Sequence, residues 1–263
     1  MSGELSLARQ QVHIWLVDPT TVTDTDLLAC YHELLSPDEH AKWQRYRFDK
    51  DKHQHLVTRA LIRTTLSRYE PSIAPQDWRF ELNPHGKPAI ANSLSRPLHF
   101  NLSHTQNLAA LAVTRCAPIG VDVEKLKAVE QVRGLAERCF ANGEIAFVFS
   151  GDKAAVMERF FKLWTLKEAY IKAHGCGMSL SLHSVAFDPL AEPLTVTFDD
   201  THDDRPEEWC FRHWELGEHL LSLALNVSER RGAEIEIFHT IPLHSTAPVA
   251  VPPQANANQS LSK

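Results

Sequence analysis

Three short segments of the chain combine acidic, basic and hydroxyl side chains in an order suited to phosphate chemistry. They are residues 100–104 (FNLSH), 120–125 (GVDVEK) and 164–169 (WTLKEA). Together they supply three carboxylates, two lysines, a histidine and a serine hydroxyl. Such a set suits a divalent metal ion and a doubly phosphorylated ligand better than it suits a hydrophobic core.

The second segment predicts two carboxylates on one face of a β-strand. Side chains alternate between faces along a strand, so Asp122 and Glu124 share one face while Val121 and Val123 share the other. Neighbouring carboxylates repel each other and need a cation or solvent beside them. Mg²⁺ is a candidate, because it binds one or two carboxylates together with water and substrate phosphate. An exposed strand at the edge of a sheet is the alternative.

The third segment lies in a predicted helix, residues 154–174, whose apolar face carries two charges. At 100° per residue, Lys167 and Glu168 both fall among aromatic and aliphatic side chains that we expect to be buried. A buried charge without a partner is costly, and a metal ion and a phosphate would supply partners for both. The alternative is a surface salt bridge between Glu168 and Lys172, one helical turn apart, which leaves Lys167 unexplained.

Cations and a Ser-His pair in the first half suggest further anion contacts. Arg59 and Arg63 are one helical turn apart, so both can face the same anion, although a solvated basic helix is the alternative. The adjacent Ser103 and His104 diverge on a strand, which fits hydrogen bonds to a phosphate better than a nucleophile and its base. A polar turn facing solvent is the alternative for this pair.

Groups of helices and strands would position these segments. Strands are predicted at 12–17, 78–82, 98–102, 108–113, 119–123, 184–188, 194–198, 209–214, 220–226 and 234–238, and helices at 24–35, from 36 onward, and at 49–68, 129–139, 143–149 and 154–174. In each half the helices come before most of the strands, which predicts an α+β fold of two similar lobes. We assign residues 1–118 to the first lobe, 119–241 to the second lobe with the metal site, and 242–263 to a disordered tail.

Composition excludes several classes of protein. A net charge of −6 argues against nucleic-acid binding, which normally requires a basic excess. The sequence has no run of 18 apolar residues and no apolar stretch in residues 1–11, so we expect neither a membrane span nor a secretory signal. Five scattered cysteines predict reduced thiols in a cytoplasmic protein.

The segments in this order resemble the Sfp-type 4′-phosphopantetheinyl transferases, which modify carrier proteins using coenzyme A. The resemblance covers about residues 34–182 and also includes residues 35–37 (LSP), 86–88 (GKP) and 175–180 (GCGMSL). It implies two α+β lobes related by a pseudo-twofold axis, with the active site in the cleft between them. The length of the chain matches the monomeric two-lobe form of the family, rather than the shorter form that trimerises.

The resemblance also implies roles for individual residues. Asp122, Glu124 and Glu168 resemble the Mg²⁺ ligands. Coenzyme A would be held by Lys87, Ser103 and His104 at its adenosine and 3′-phosphate end, by Lys167 and Lys172 at its pyrophosphate, and by Lys42 and Arg63 of the first lobe. Glu168 is the expected general base, with Asp122 and Lys172 completing the catalytic set. Glu39 and Gln54 stand where some members carry basic residues, so His55, Lys52 or Arg59 would substitute for them, or fewer cations hold the 3′-phosphate.

The implied reaction transfers the 4′-phosphopantetheine arm of coenzyme A to a serine of an apo acyl or peptidyl carrier protein and releases adenosine 3′,5′-bisphosphate. Residues 125–149 are the expected docking segment for the carrier. The alternatives are another Mg²⁺-dependent phosphotransfer or phosphohydrolase enzyme acting on coenzyme A, and a non-catalytic module that binds coenzyme A or the carrier.

Overall fold

The structure, a computed structural model, describes residues 5–8, 10–200, 202–227 and 233–250, apart from the side chain of Met178. The first half contains β1 (Gln11–Val17), α1 (Thr25–Glu33), α2 (Pro37–Arg45), α3 (Asp49–Tyr69), β2 (Phe80–Leu82), β3 (Pro88–Ile90), β4 (His99–Thr105) and β5 (Leu108–Thr114). The second half contains β6 (Ile119–Lys125), α4 (Val132–Cys139), α5 (Asn142–Val148), α6 (Val156–His174), β7 (Val185–Asp188), β8 (Thr195–Phe198), β9 (Trp209–Leu216), β10 (His219–Asn226), β11 (Glu234–Ile241) and β12 (Ser245–Pro248). Within these residues, no helix is both long and apolar enough to cross a bilayer.

Local sequence signals explain where the helices of the first lobe begin. Ser36 caps α2 by accepting a hydrogen bond from the Glu39 backbone N–H at 3.3 Å, and the Glu39 carboxylate accepts one from the Ser36 N–H at 3.0 Å. Pro37 occupies the first turn, where its missing N–H costs nothing. The helix predicted from residue 36 onward is therefore confirmed.

Two main sheets form the centre of the molecule. The first has the strand order β12-β11-β1-β5-β4, and the second has the order β6-β10-β9. Strand β1 pairs in parallel with β11, and the other pairs in these sheets are antiparallel. Helices precede most of the strands in each half, so the predicted α+β class is confirmed.

The two sheets pack against each other and are covered by helices on their outer faces. Trp15 of β1 packs outward with Leu61 of α3, whereas its neighbour Ile14 packs inward against Val121 and Leu223 of the second sheet. On the far side, α6 and the outer face of the second sheet form a third apolar cluster. Both faces of each sheet are thus buried, in a helix–sheet–sheet–helix order.

The chain returns to the first sheet near its end, which corrects the predicted lobe boundary at 241. We expected residues 234–238 to belong to the second lobe, but β11 lies beside β1, with Ile14 opposite Ile237. The prediction of a disordered tail from 242 is wrong for β12, which pairs with β11. Residues 251–263 of that tail lie outside the described part of the chain.

The lobes meet where β4 lies alongside β6 in a side-chain seam. Asn101, Ser103 and Thr105 accept hydrogen bonds from the backbone N–H groups of Val121, Val123 and Lys125 at 2.8, 3.3 and 3.3 Å. Three short polar side chains, each two residues apart, thereby satisfy the outer edge of β6, which has no strand partner on that side. The seam aligns β4 and β6 residue by residue.

Candidate active site

Helix α6 can lie directly on β6 because residue 120 is glycine. A Cβ at Gly120 would come within 3.0 Å of the Ala169 carbonyl carbon, and closer still to the Ala169 oxygen and the Ala173 nitrogen. Residues 120, 122 and 124 share the strand face that meets α6. The close approach therefore places the acidic pair beneath the helix that carries Glu168 and Lys172.

Asp122 lies at the centre of the seam and is paired with two neighbours. Its side chain is 6% exposed, and its Oδ1 lies 2.5 Å from Lys172 Nζ. The Ser103 hydroxyl donates to the same oxygen at 2.9 Å and accepts from Lys172 at 2.9 Å. The other oxygen, Oδ2, is buried without a hydrogen-bond partner. A buried carboxylate oxygen without a partner is costly, so this atom is a candidate ligand for a cation.

Glu124 and Glu168 complete an acidic group around this oxygen. Burial and the carboxylate of Asp122 raise the pKa of Glu168, Lys172 opposes that shift, and Glu124 adds to it. Burial and Asp122 likewise raise the pKa of Glu124. Glu124 accepts a hydrogen bond from Thr105 at 3.3 Å and pairs with Lys127 at 3.7 Å. The three predicted acids therefore interact electrostatically.

The acids are close but are not arranged as a closed cluster. Among the described residues, no three His, Cys, Asp or Glu side chains stand in positions that could already hold a metal ion. Lys172 pairs with Asp122. The carboxylate of Glu168 makes no hydrogen bond or ion pair within the described part of the chain. The assignment of Asp122, Glu124 and Glu168 as metal ligands stays a prediction.

Lys167 does not face this site, which corrects its predicted contact with pyrophosphate. Its side chain is 1% exposed, and Nζ lies 2.8 Å from the Glu144 carboxylate of α5. It also donates to the carbonyl oxygens of Leu182, at 2.7 Å, and Val185. The partner that the helical pattern required for Lys167 is thus a buried carboxylate and two carbonyls of the second lobe.

Arg63 is also a structural residue rather than a ligand contact. Its guanidinium, 1% exposed, contacts the Glu39 carboxylate at 2.8 and 2.9 Å and donates to the carbonyls of Pro75 and Trp78 at 3.0 Å each. Arg59 NH1 lies 3.7 Å from the same carboxylate. The two arginines do face one anion, as predicted, but that anion is Glu39 of the protein itself.

Lys87 lies at one end of the seam. Its Nζ donates to the carbonyl oxygens of Ala173 at 2.8 Å and Ile119 at 3.2 Å, and burial lowers its pKa to about 8. Ile119 precedes Asp122 by three strand residues, or about 10 Å. Lys87 and Ser103, predicted to bind the same end of coenzyme A, therefore contact β6 at separate positions along the seam.

His104 lies at the other end of the seam, among cations of the first lobe. Its Nδ1 is 2.5 Å from Gln54 Nε2 of α3, and partial burial together with Lys172, Arg59 and Lys42 lowers its pKa. His55 does not add a charge here, because burial and Arg59 lower its pKa to about 4. Lys42, Arg59 and His104 are therefore candidate contacts for an anion at this end of the seam.

Sequence reasoning missed three contacts that shape the site. It did not identify Glu144 as the partner of Lys167, Gly120 as the contact point of α6, or Ser103 as a neighbour of Asp122. The signal for the last was present: short polar residues at 101, 103 and 105 alternate with Phe100 and Leu102, and their side chains point to one face.

Two family models match adjacent parts of the chain. One, described as the 4′-phosphopantetheinyl transferase superfamily, matches residues 118–224, and one described as 4′-phosphopantetheinyl transferase, N-terminal, matches residues 22–116. The first match contains Asp122, Glu124 and Glu168, and the second contains the cations and Ser103 of the first lobe. The two matches therefore contribute residues to both sides of the seam.

Curated relatives carry the same description over most of their length. The 4′-phosphopantetheinyl transferase HetI of Nostoc sp. is 34% identical over 66% of this chain and 73% of its own. The 4′-phosphopantetheinyl transferase ffp of Bacillus subtilis is 32% identical over 65% of this chain and 72% of its own. The enzyme Sfp of Bacillus subtilis is 32% identical over 59% of this chain and 66% of its own. The chain belongs to the 4′-phosphopantetheinyl transferases of the Sfp type.

Proposed function

We propose that this chain transfers the 4′-phosphopantetheine arm of coenzyme A to a serine hydroxyl of an apo acyl or peptidyl carrier protein, in a reaction that requires Mg²⁺. The observation that carries the proposal is the juxtaposition, at the lobe seam, of Asp122, which has an unpartnered buried oxygen, with Lys172 and the half-buried Glu168. Acids that repel each other beside a lysine suit a site for a cation and a pyrophosphate.

The residues present fit a magnesium ion by chemistry. Asp122 Oδ2 offers a free oxygen, and Glu124 and Glu168 have pKa values raised by burial and by Asp122, a repulsion that a cation would relieve. Mg²⁺ prefers oxygen ligands and keeps several waters. We assign these three carboxylates as its ligands. When bound, the ion would neutralise charge on the pyrophosphate oxygens.

In the proposed reaction, the serine oxygen of the carrier attacks the phosphorus atom that bears the pantetheine. A new O–P bond forms, the bond to the bridging oxygen breaks, and adenosine 3′,5′-bisphosphate leaves. Lys172 neutralises the leaving phosphate, since positioned cations supply much of the catalysis in phosphoryl transfer. Glu168 accepts the serine proton, either directly or through a water molecule, and burial and Asp122 raise the pKa of its carboxyl in the metal-free protein.

Cations of the first lobe are proposed to hold the 3′-phosphate. Lys42 and Arg59 both lower the pKa of His104, so two positive charges act at the position of this side chain. Arg59 keeps a buried Nε without a partner, and its contact with Glu39 is long at 3.7 Å. Arg59 therefore takes the place that Arg63 held in our prediction.

The test is to incubate the enzyme with coenzyme A and an apo carrier protein, with Mg²⁺ or with EDTA, and to weigh the carrier by intact mass spectrometry. The expected result is a mass gain of one phosphopantetheine, with Mg²⁺ only. Asp122→Asn and Glu168→Gln should each lower the rate by at least about 100-fold. Free phosphopantetheine with an unmodified carrier would instead identify a hydrolase, and binding without turnover would identify a non-catalytic module.

The remaining part of the proposal concerns the state of the enzyme in the cell. We propose that it acts as a monomer in the cytoplasm, because both sides of the seam come from one chain and no disulfide joins the cysteines of the described residues. Sedimentation of the purified protein tests the first point. A stable dimer would contradict it.

A further inference from the structure

The carboxylate proposed to bind the metal already has a counter-ion in the ligand-free protein. Lys172 Nζ lies 2.5 Å from Asp122 Oδ1, and the Asp122 side chain is 6% exposed. Removing one partner of such a buried pair leaves an uncompensated charge, which is strongly destabilising. Lys172 can therefore leave Asp122 only if another cation takes its place.

Lys172 is built to move, whereas Asp122 is held in place. The Lys172 side chain is 28% exposed and carries its charge on a flexible four-carbon stem. Asp122 is held by β6 and by the Ser103 hydroxyl, which also accepts a hydrogen bond from the Val123 N–H. The lysine therefore has freedom to reach outward, while the carboxylate stays at the seam.

The charges of the site favour an exchange over simple addition. Asp122, Glu124 and Glu168 carry three negative charges, and Lys172 and Lys127 carry two positive ones. A pyrophosphate arriving without a metal would face this surplus of carboxylates and would compete with Asp122 for Lys172. A metal arriving without pyrophosphate would displace Lys172 from Asp122 with no phosphate group to receive it.

Resting on the proposed function, we propose that Lys172 is an exchangeable counter-ion: it neutralises Asp122 in the free enzyme and moves to the pyrophosphate of coenzyme A when Mg²⁺ replaces it. Metal and coenzyme A then each make binding of the other more favourable. Such coupling is reciprocal, so each ligand must tighten the other by the same factor. Ser103, which contacts both charged groups, is the positioning residue of this exchange.

The experiment measures Mg²⁺ affinity by isothermal titration calorimetry, with and without saturating coenzyme A, for wild type, Lys172→Met and Lys127→Met. Lys127 offers a matched control, because it also pairs with an acid of the site, Glu124, but is 61% exposed. Lys172→Gln repeats the measurement with an amide that can still donate to Asp122, in case the methionine variant does not fold.

In wild type, coenzyme A should tighten Mg²⁺ by about tenfold or more. In Lys172→Met, Mg²⁺ alone should bind several-fold more tightly than in wild type, and coenzyme A should tighten Mg²⁺ binding by a smaller factor than in wild type, because only the direct attraction between the ion and the pyrophosphate then remains. If Mg²⁺ affinity rises as much in Lys127→Met as in Lys172→Met, the exchange is wrong, since loss of any nearby positive charge would then explain the higher affinity. Unchanged or weaker Mg²⁺ binding in Lys172→Met would overturn it too.

The outcomes separate this inference from the proposed function. If wild type modifies the carrier with Mg²⁺ but Lys172→Met retains full coupling, the exchange is wrong and the proposed function stands. If wild type binds no Mg²⁺ in the presence of coenzyme A and leaves the carrier unmodified, the proposed function is wrong, and the exchange falls with it.

Discussion

Replacing Lys167 with methionine separates a structural lysine from one that contacts ligand. The substitution removes the partner of Glu144, whose side chain is 1% exposed, and frees the carbonyls of Leu182 and Val185. Breaking a buried ion pair from one side costs about 3–5 kcal/mol. That is a large fraction of the roughly 5–15 kcal/mol by which a folded domain is stable.

Urea unfolding, followed by circular dichroism, is the assay. A loss of 3–5 kcal/mol corresponds to a fall in midpoint of about 1–2 M for a chain of this size. Adding Glu144→Gln should recover part of the lost stability, because it removes the unpaired buried charge. Its amide oxygen can still accept the hydrogen bond that the Phe187 N–H donates to the Glu144 carboxylate at 2.9 Å in wild type. Lys162→Met is the control. Lys162 lies on the same helix, its Nζ donates to the Pro189 carbonyl at 2.9 Å, and its replacement should cost about 1 kcal/mol.

The activity of the folded variant decides between the two roles. We expect Lys167→Met, assayed below its unfolding midpoint, to keep coenzyme A affinity within about threefold of wild type, a difference of less than 1 kcal/mol. Unchanged stability combined with lost coenzyme A binding would refute the structural role and return Lys167 to the pyrophosphate.

Three further predictions test other contacts of the site. Gly120→Ala should lower the free energy of unfolding by about 1–3 kcal/mol or more and abolish transfer, because the added Cβ would force α6 away from β6. Urea unfolding measures the first effect and the mass of the carrier measures the second. A variant with wild-type stability and activity would contradict the packing of α6 on β6. Lys87, with a pKa lowered to about 8, binds fewer protons in the folded than in the unfolded protein, so wild-type stability should rise between pH 8 and 10 relative to Lys87→Met. The same change of melting temperature with pH in both proteins would contradict this. Burial and Asp122 raise the pKa of Glu168, so its ionised form destabilises the metal-free fold. Glu168→Gln should therefore melt at a higher temperature than wild type at pH 7, and the two melting temperatures should converge near pH 4. A lower melting temperature for Glu168→Gln at pH 7 would show that attraction to Lys172 dominates.

The local elements of this fold are readable from the sequence because their signals are local. Alternation along β6 predicts that Val121 and Val123 share one face, and that face is buried between the sheets. The Ser36-Pro37 pair predicts the start of α2, and the observed capping bonds follow. Periodicity and capping depend on residues a few positions apart, so one sequence carries them.

Pairings between distant parts of the chain were not readable in the same way. The helical pattern showed that Lys167 would be buried, but nothing nearby indicates Glu144, 23 positions earlier, as its partner. Likewise, β11 has an ordinary strand pattern, and only the fold places it beside β1 rather than in the second lobe. Charged residues at buried positions therefore identified a need for partners without identifying the partners.

The central claim is that Asp122, Glu124 and Glu168 bind one divalent ion at the lobe seam when coenzyme A is present. Anomalous diffraction from crystals grown with Mn²⁺ and coenzyme A tests it directly. We expect one anomalous peak, about 2.0–2.3 Å from oxygens of these carboxylates and of the pyrophosphate, with Lys172 turned away from Asp122. A peak elsewhere on the coenzyme, with the Lys172–Asp122 pair intact, would contradict the account.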